Sequence, residues 1–268
     1  MKTLNKVAEI TLLFWLMKIV ATTLGETLGD FIAQTLGLGY ATGILITLIF
    51  FGLVLGIQLT RKAYIPVWYW LVIIGTTTLG TEISDFIDRS LHLGYTWGSL
   101  LLFSGLLLTL LTWFKRFGNL EVYPIFARNK EIHYWMAILF SNSLGTAFGD
   151  YLSDVVGLSY LYGAFVTAGI IVLVILLHYF TKMNQIILFW IAFIFTRPFG
   201  ATFGDFLTKP LAKGGLNLGT LPATIVSIIL IGLMIYVSHR QMVTDNAEDQ
   251  KQRVSYIHLR AHEKGRNL

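Results

Sequence analysis

The 268-residue sequence contains no cysteine, only five prolines and few charged residues, which make up 13% of the chain. Without cysteine the chain forms no disulfide bond and offers no thiolate to a metal ion. Soluble domains carry about 25% charged residues, so the low charge argues against an ordinary soluble domain. Apolar residues are abundant instead: they form 55% of the chain, and the mean hydropathy is +0.67. These values predict an integral membrane protein.

The net charge of +5, with histidine counted as neutral, does not indicate a nucleic-acid partner. The basic residues fall in short segments between apolar runs and in the polar end of the chain, as membrane topology predicts. The first apolar run begins at Ile10 and contains Lys18, Glu26 and Asp30, with no small-residue cleavage site. We therefore expect it to be the first transmembrane helix and not a cleaved signal.

An internal repeat organises the chain and occurs four times. Each copy begins with an aromatic residue followed by Trp, continues through Gly and Asp, and ends in a short turn. Equivalent residues are 55, 65 and 55 residues apart in every column. Self-similarity of this kind predicts a repeat architecture. The aligned columns are Trp15, Trp70, Trp135 and Trp190; Gly25, Gly80, Gly145 and Gly200; and Asp30, Asp85, Asp150 and Asp205.

Each repeat contains two apolar segments, each long enough to cross about 30 Å of hydrocarbon. Because every repeat contributes an even number of crossings, all four copies run in the same direction. The sequence therefore predicts an all-α integral membrane protein of eight transmembrane helices, built as four tandem two-helix repeats with parallel pseudo-symmetry about the membrane normal. The predicted helices span 10–36, 40–60, 67–91, 95–115, 132–156, 160–181, 185–208 and 219–239. The predicted repeats cover about 8–62, 63–117, 128–182 and 183–240 of a transmembrane domain at 1–240, and a cytoplasmic polar tail follows at 241–268.

The distribution of Lys and Arg predicts the orientation. Most of these residues lie on the side of the two termini, whereas the opposite side has only Arg89, Lys209 and Lys213. The positive-inside rule then places both termini in the cytoplasm, and we expect a multi-pass protein of the cell inner (plasma) membrane. The Trp and Tyr residues at the helix starts, such as Trp70 and Trp135, are predicted to be interfacial anchors.

Carboxylates recur inside the predicted membrane helices, although each costs roughly 2.5–3.5 kcal/mol there on insertion scales. They are therefore expected to face a polar interior, a partner or an ion. Spacings of three and four residues place them on shared helix faces with hydroxyl and amide side chains. The candidate metal ligands or proton carriers are Glu26, Asp30, Glu82, Asp85, Asp150 and Asp205. The candidate supporting polar residues are Thr22, Thr78, Asn142, Thr146 and Thr202.

Only two bases, Lys18 and Arg197, are expected at the same depth, and we assign them to charge balance or gating. Six deep carboxylates with two bases leave excess negative charge, which protons or a cation would neutralise. Oxygen ligands of this kind suit Mn²⁺, Mg²⁺ or Ca²⁺. Such an ion would be the substrate of the protein, and the expected partners are this inorganic cation, the lipid bilayer and a second copy of the chain.

At these residues the sequence resembles a bacterial family of membrane-anchored proteins made of repeats called domain of unknown function 347. The resemblance rests on the Trp-led helices, on Thr22–Glu26 and Thr78–Glu82, on the Gly-Asp pairs, on the Leu-Gly-Tyr turns and on Thr196–Thr202. It covers nearly the whole chain before the tail and implies no particular activity. The copies have diverged, because the third has no Glu near its Gly and the fourth has Arg197 and Pro198 in place of two threonines. A shared site is therefore expected to be two-fold at best.

The leading functional hypothesis is a transporter of a divalent cation such as manganese. Coupling to protons would follow, since carboxylates can alternate between proton and metal. The alternative is a membrane sensor or scaffold in which the acidic Gly/Thr motifs only pack helices together. We do not expect an enzyme, because the sequence shows no nucleophile–base pair and no helix with two metal-binding histidines.

Overall fold

In the computed structural model, which describes the backbone of residues 5–266 and the side chains of residues 5–244, the chain folds into eight long helices. No strand occurs in this part of the chain. Short turns connect the helices, so successive helices lie side by side. The helices are α1 (Leu12–Asp30), α2 (Tyr40–Thr60), α3 (Pro66–Asp85), α4 (Gly94–Phe117), α5 (Arg128–Asp150), α6 (Tyr160–Phe180), α7 (Gln185–Thr208) and α8 (Thr220–Arg266).

The odd-numbered helices, which carry the repeated motif, form a closed inner ring. Within it α1 packs on α3, α3 on α5, α5 on α7, and α7 back on α1. The even-numbered helices surround the ring, and each packs on the inner helix of the next repeat: α2 on α3, α4 on α5, α6 on α7, and α8 on α1. Each repeat is therefore completed by its neighbour, and α8 closes the circle.

The glycine column allows the inner helices to approach one another closely. A Cβ added at Gly25 would lie 2.4 Å from Thr77 Oγ1, and one added at Gly200 would lie 2.2 Å from Thr22 Oγ1. Gly80 meets Asn142 and Ser143 in the same way, and Gly145 meets Arg197 and Pro198. The facing position is always three residues before the glycine of the next inner helix, so one contact recurs around the whole ring.

Burial and polarity differ between the two layers of helices. Six helices, namely α1, α2, α4, α6, α7 and the first half of α8, are long and apolar enough to cross a membrane. About 22–28% of each outer span is buried, against 61% for α1 and α7. The helices α3 and α5 are not among these six, and almost every residue in their second halves is buried. Several long apolar helices with exposed apolar faces indicate a multi-pass membrane protein.

Aromatic side chains close the end of the ring nearest the termini. Trp70 and Trp135 are 1% and 0% exposed, and both pack against Tyr69. The expectation that these tryptophans are interfacial anchors is therefore wrong. They point into the bundle, where aromatic rings of neighbouring inner helices pack against one another.

The motif helices change conformation where their aspartates lie. Immediately after Asp30, Asp85 and Asp150 the α-helix continues as a π-helical turn, whereas α7 has none after Asp205. Single π turns within α-helices are frequent at functional sites. The backbone therefore departs from regular geometry at the same point in three repeats.

The last helix extends further than its apolar sequence requires. The apolar part of α8 covers Thr220–Thr244, and the helical backbone continues to Arg266. Most of the predicted polar tail, at 241–268, lies outside the residues whose side chains are described, so its cytoplasmic position stays a prediction.

Candidate functional site

At the end of the ring away from the termini, a lysine joins two aspartates of neighbouring helices. Lys209 follows α7, and its Nζ lies 2.5 Å from Asp30 Oδ2 on α1 and 3.3 Å from Asp205 Oδ1 on its own helix. Gln34 also donates to Asp30. Both carboxylates are buried, and the ammonium therefore ties the last inner helix to the first.

An arginine makes the equivalent bridge on the other side of the ring. Arg89 Nη2 donates to Asp150 Oδ2 on α5 at 3.0 Å, and its Nη1 lies 3.6 Å from Asp85 Oδ2 on α3. The same guanidinium donates to the hydroxyl of Tyr40 at 3.1 Å and lies 4.0 Å from Asp154. The four repeated aspartates are thus held as two pairs, each around one base.

These two bases give the ring a two-fold character. Arg89 and Lys209 occupy the position four residues after the repeated Asp in the second and fourth repeats, where the first and third have Gln34 and Asp154. Neither base was predicted as a site residue, because both were used only to predict the orientation in the membrane. The signal was present, since a spacing of four places a base one turn from its aspartate.

A second layer of charge lies deeper in the ring, around Arg197 of α7. Its Nη2 donates to Glu26 Oε2 at 2.9 Å and also to the Thr81 hydroxyl, and its Nη1 donates to the carbonyl oxygen of Thr22 at 3.2 Å. Arg197 is 0% exposed and Glu26 is 3% exposed. This layer joins α1, α3 and α7 through one guanidinium.

Lys18 lies one layer further toward the aromatic end and, among the described side chains, pairs with no carboxylate. Its Nζ donates to Asn142 Oδ1 at 3.1 Å and lies 3.8 Å from the centre of the Phe193 ring. The Asn142 amide in turn donates to the Thr76 hydroxyl at 3.0 Å. The lysine therefore joins α1, α5 and α7 through an amide and an aromatic face, and Asn142 extends this contact to α3.

Three of the predicted ligands come together in a group that could hold a metal ion. One carboxylate oxygen each from Glu26, Asp30 and Asp205 lie within 4.8 Å of one another, and all three residues are buried. Among the described residues, Asp205 Oδ1 accepts no hydrogen bond, and the ammonium of Lys209 is the charged group that lies near it. A cation bound by these oxygens would bridge α1 and α7, and it would compete with the ammonium of Lys209.

The other three predicted ligands lie elsewhere. Asp85 and Asp150 belong to the Arg89 pair on the far side of the ring. Glu82 is on α3 but turns away from the ring axis toward α2, where its carboxyl group packs against Gly43. The structure therefore divides the six carboxylates into a cluster of three, a pair around Arg89, and one separate residue.

Most of the predicted supporting hydroxyls are used within their own helices. Thr78, Thr146 and Thr202 donate to carbonyl oxygens one turn earlier, at 3.0, 3.3 and 2.9 Å. Thr22 and Asn142 differ, because Thr22 offers its carbonyl oxygen to Arg197 and Asn142 holds Lys18. These two supporting residues contact the charged layers directly.

The two ends of the ring differ in access. A cavity of about 220 Å³ at the end away from the termini is lined by Asp205 and Lys209 and by the second base, Arg89. At the opposite end, behind the aromatic side chains, Lys6 pairs with the buried Glu131 and binds the carbonyl oxygen of Leu59 at 3.3 Å. The carboxylate cluster therefore borders a polar opening on one side. A second cavity, of about 380 Å³, lies at the other end and reaches Met17 and Trp70 of the aromatic layer.

Comparison with protein-family models assigns the chain to a family of repeats. Four consecutive segments match the model described as Repeat of Unknown Function (DUF347), and together they cover most of the chain. The protein therefore belongs to this family. Comparison with curated proteins and with solved structures finds no match. The matched segments are residues 13–64, 68–117, 133–184 and 188–244.

Proposed function

We propose that this protein is a membrane transporter of a cation, and that the cation is a divalent metal ion such as Mn²⁺. The observation that carries the proposal is the meeting of Glu26, Asp30 and Asp205, three buried carboxylates with oxygens within 4.8 Å of one another. Carboxylate oxygens are hard ligands that suit Mn²⁺, Mg²⁺ and Ca²⁺. Buried acids are costly in a membrane, and a transported cation would offset that cost.

Lys209 supplies the second part of the mechanism. Its ammonium lies 2.5 Å from Asp30 Oδ2 and 3.3 Å from Asp205 Oδ1. In this arrangement the lysine is an internal cation that neutralises the empty site. An incoming metal ion displaces the ammonium, and the ammonium returns when the ion leaves. Substrate binding and the movement of the segment that follows α7 are thereby linked.

The proposed topology places all eight helices across the plasma membrane, with the four repeats parallel about the membrane normal and both termini in the cytoplasm. Arg61, Lys62 and Lys182 lie in the turns on the side of the termini. Of the three bases on the opposite side, Arg89 and Lys209 are engaged with aspartates of the ring. The Lys and Arg residues that are left in the loops therefore lie mostly on the side of the termini, as the positive-inside rule requires for a cytoplasmic side.

Alternating access would follow from the two unlike ends of the ring. The polar cavity gives the cluster access to the outside, while the aromatic side chains and the Lys6–Glu131 pair close the cytoplasmic end. Inward release requires these contacts to separate while Arg89 and Lys209 close the outer end. The two-fold arrangement of the bases makes rocking of one half against the other the simplest such movement.

Uptake of Mn²⁺ by purified protein in liposomes tests this function. We expect Asp205→Asn to reduce the initial rate of uptake by roughly tenfold or more, because the loss of a charged ligand weakens binding by at least about 1.4 kcal/mol. Asp154→Asn is the matched control, since Asp154 lies at the same end of the ring outside the cluster. Equal uptake by wild type and Asp205→Asn would refute a metal site at this position.

One observation favours the scaffold alternative. Each motif glycine packs against a side chain of the next inner helix, and Glu26 and the four repeated aspartates all have basic partners. Ion pairs and glycine contacts of this kind can simply hold helices together. A scaffold would give liposomes that take up no more Mn²⁺ than empty ones, so the uptake experiment separates the two functions.

A further inference from the structure

Glu82 is a buried acid that the cation site does not use. It lies on α3 and is 0% exposed, and neither of its carboxyl oxygens has a hydrogen-bond partner among the residues whose side chains are described. A Cβ added at Gly43 of α2 would lie 2.5 Å from Glu82 Cδ, so the carboxyl group fills the space that the glycine leaves. The side chain is thus enclosed between α2 and α3 in a place shaped for it.

An ionised carboxylate with no partner is unfavourable in such a place. Isolated charges in an apolar interior cost so much that the group is neutral instead. The charged groups of α1 near Glu82 are the acids Asp30 and Glu26, and the bases that neutralise them, Lys209 and Arg197, donate to those acids and not to Glu82. From α2 the facing residue is Gly43, which carries no charge, and the next acid along α3 is Asp85. Glu82 therefore holds a proton in this conformation.

Glu82 is also placed to respond to the cation site. It adjoins Thr81, whose hydroxyl lies 3.5 Å from Glu26 Oε2, yet it makes no hydrogen bond to Glu26, Asp30 or Asp205. A divalent ion that takes the place of the Lys209 ammonium among the three carboxylates would make the charge near Glu82 more positive by one unit. The ionised form of Glu82 then becomes more favourable, and its proton leaves as the ion arrives.

We propose that Glu82 is the proton-binding site of the transporter, separate from the metal ligands, and that its carboxyl group releases one proton to bulk water when the cation binds. The carboxyl group of Glu82 fills the space opposite Gly43, between α2 and α3. Two acids of α1 lie nearby, and together these features define the site. The inference rests on the proposed cation transport and makes that transport an exchange of metal for proton.

Counting the protons released when Mn²⁺ binds tests the proposal. The purified protein is titrated with Mn²⁺ in weakly buffered detergent solution containing a pH indicator, and bound Mn²⁺ is measured in the same sample. We expect Glu82→Gln to bind Mn²⁺ but to release about one proton fewer per ion than the wild type. The amide has the shape of the neutral acid, so this variant is expected to fold.

Two further variants sharpen the experiment. Glu82→Asp keeps a titratable group at the same place and should restore proton release, whereas Glu121→Gln, in an exposed loop, should match the wild type. If Glu82→Gln binds Mn²⁺ and releases as many protons as the wild type, Glu82 is not the proton site, although the metal site stands. If the wild type binds no Mn²⁺, the proposed function fails and this inference fails with it.

Discussion

Replacement of Arg197 by methionine is expected to destabilise the protein by about 3–5 kcal/mol, because removal of one member of a buried ion pair leaves the other charge without compensation. Glu26, 3% exposed, would lose its guanidinium partner, and Thr81 and the carbonyl oxygen of Thr22 would lose a donor. The three inner helices that meet at this guanidinium would separate more readily. Thermal unfolding in detergent should therefore occur at a clearly lower temperature than in the wild type.

The control for this prediction also removes the carboxylate charge of Glu26, which Arg197→Met leaves without a partner. In the double variant Arg197→Met with Glu26→Gln, the glutamine leaves no buried ion without a partner, so we expect much of the lost stability to return. A double variant that is no more stable than Arg197→Met alone would contradict the assigned role of Arg197. So would an Arg197→Met variant with wild-type stability.

Replacement of Lys209 by glutamine is expected to increase the affinity for Mn²⁺ by roughly tenfold or more, equivalent to at least about 1.4 kcal/mol. The wild-type ammonium occupies the space between Asp30 and Asp205, and a metal ion must displace it. Without the ammonium the two carboxylates are free to bind the ion. Titration of the purified variant with Mn²⁺ should show the tighter binding, and bound metal should raise its unfolding temperature more than that of the wild type.

The pseudo-two-fold arrangement provides a matched variant for this experiment. Arg89→Gln removes the equivalent base from the other aspartate pair, which is separate from the carboxylate cluster. We expect it to leave the Mn²⁺ affinity of the cluster of Glu26, Asp30 and Asp205 close to that of the wild type, and ions bound at the freed pair of Asp85 and Asp150 are counted as a second site. Similar affinities for Lys209→Gln and the wild type would show that Lys209 is not an internal competitor of the ion.

Much of the fold could be predicted, because each copy of the repeat makes the same kind of contacts as the others. The three columns of Trp, Gly and Asp, each with four members, indicated the number of helices, and the predicted spans agree closely with helices such as α2 and α7. The match of four segments to one family model confirms the resemblance and the repeat. The divergence of the copies also suggested a two-fold arrangement, and the bases Arg89 and Lys209 supply one.

Other features could not be predicted, because helical periodicity shows which residues share a helix face but not which neighbouring helix that face packs against. Glu82 and Glu26 looked equivalent as extra acids, yet Glu26 meets Arg197 and Glu82 meets Gly43 of an outer helix. That difference depends on each outer helix packing on the inner helix of the next repeat. Trp135, which composition alone would place at the membrane surface, is buried instead against Tyr69 of the neighbouring inner helix.

The most direct measurement is the anomalous X-ray scattering of Mn²⁺ from crystals of the wild-type protein grown with the metal. The proposed function predicts one anomalous peak between the carboxylate oxygens of Glu26, Asp30 and Asp205, with the Lys209 ammonium displaced from them. No peak in the ring, or a peak confined to the surface with Lys209 still between Asp30 and Asp205, would contradict it.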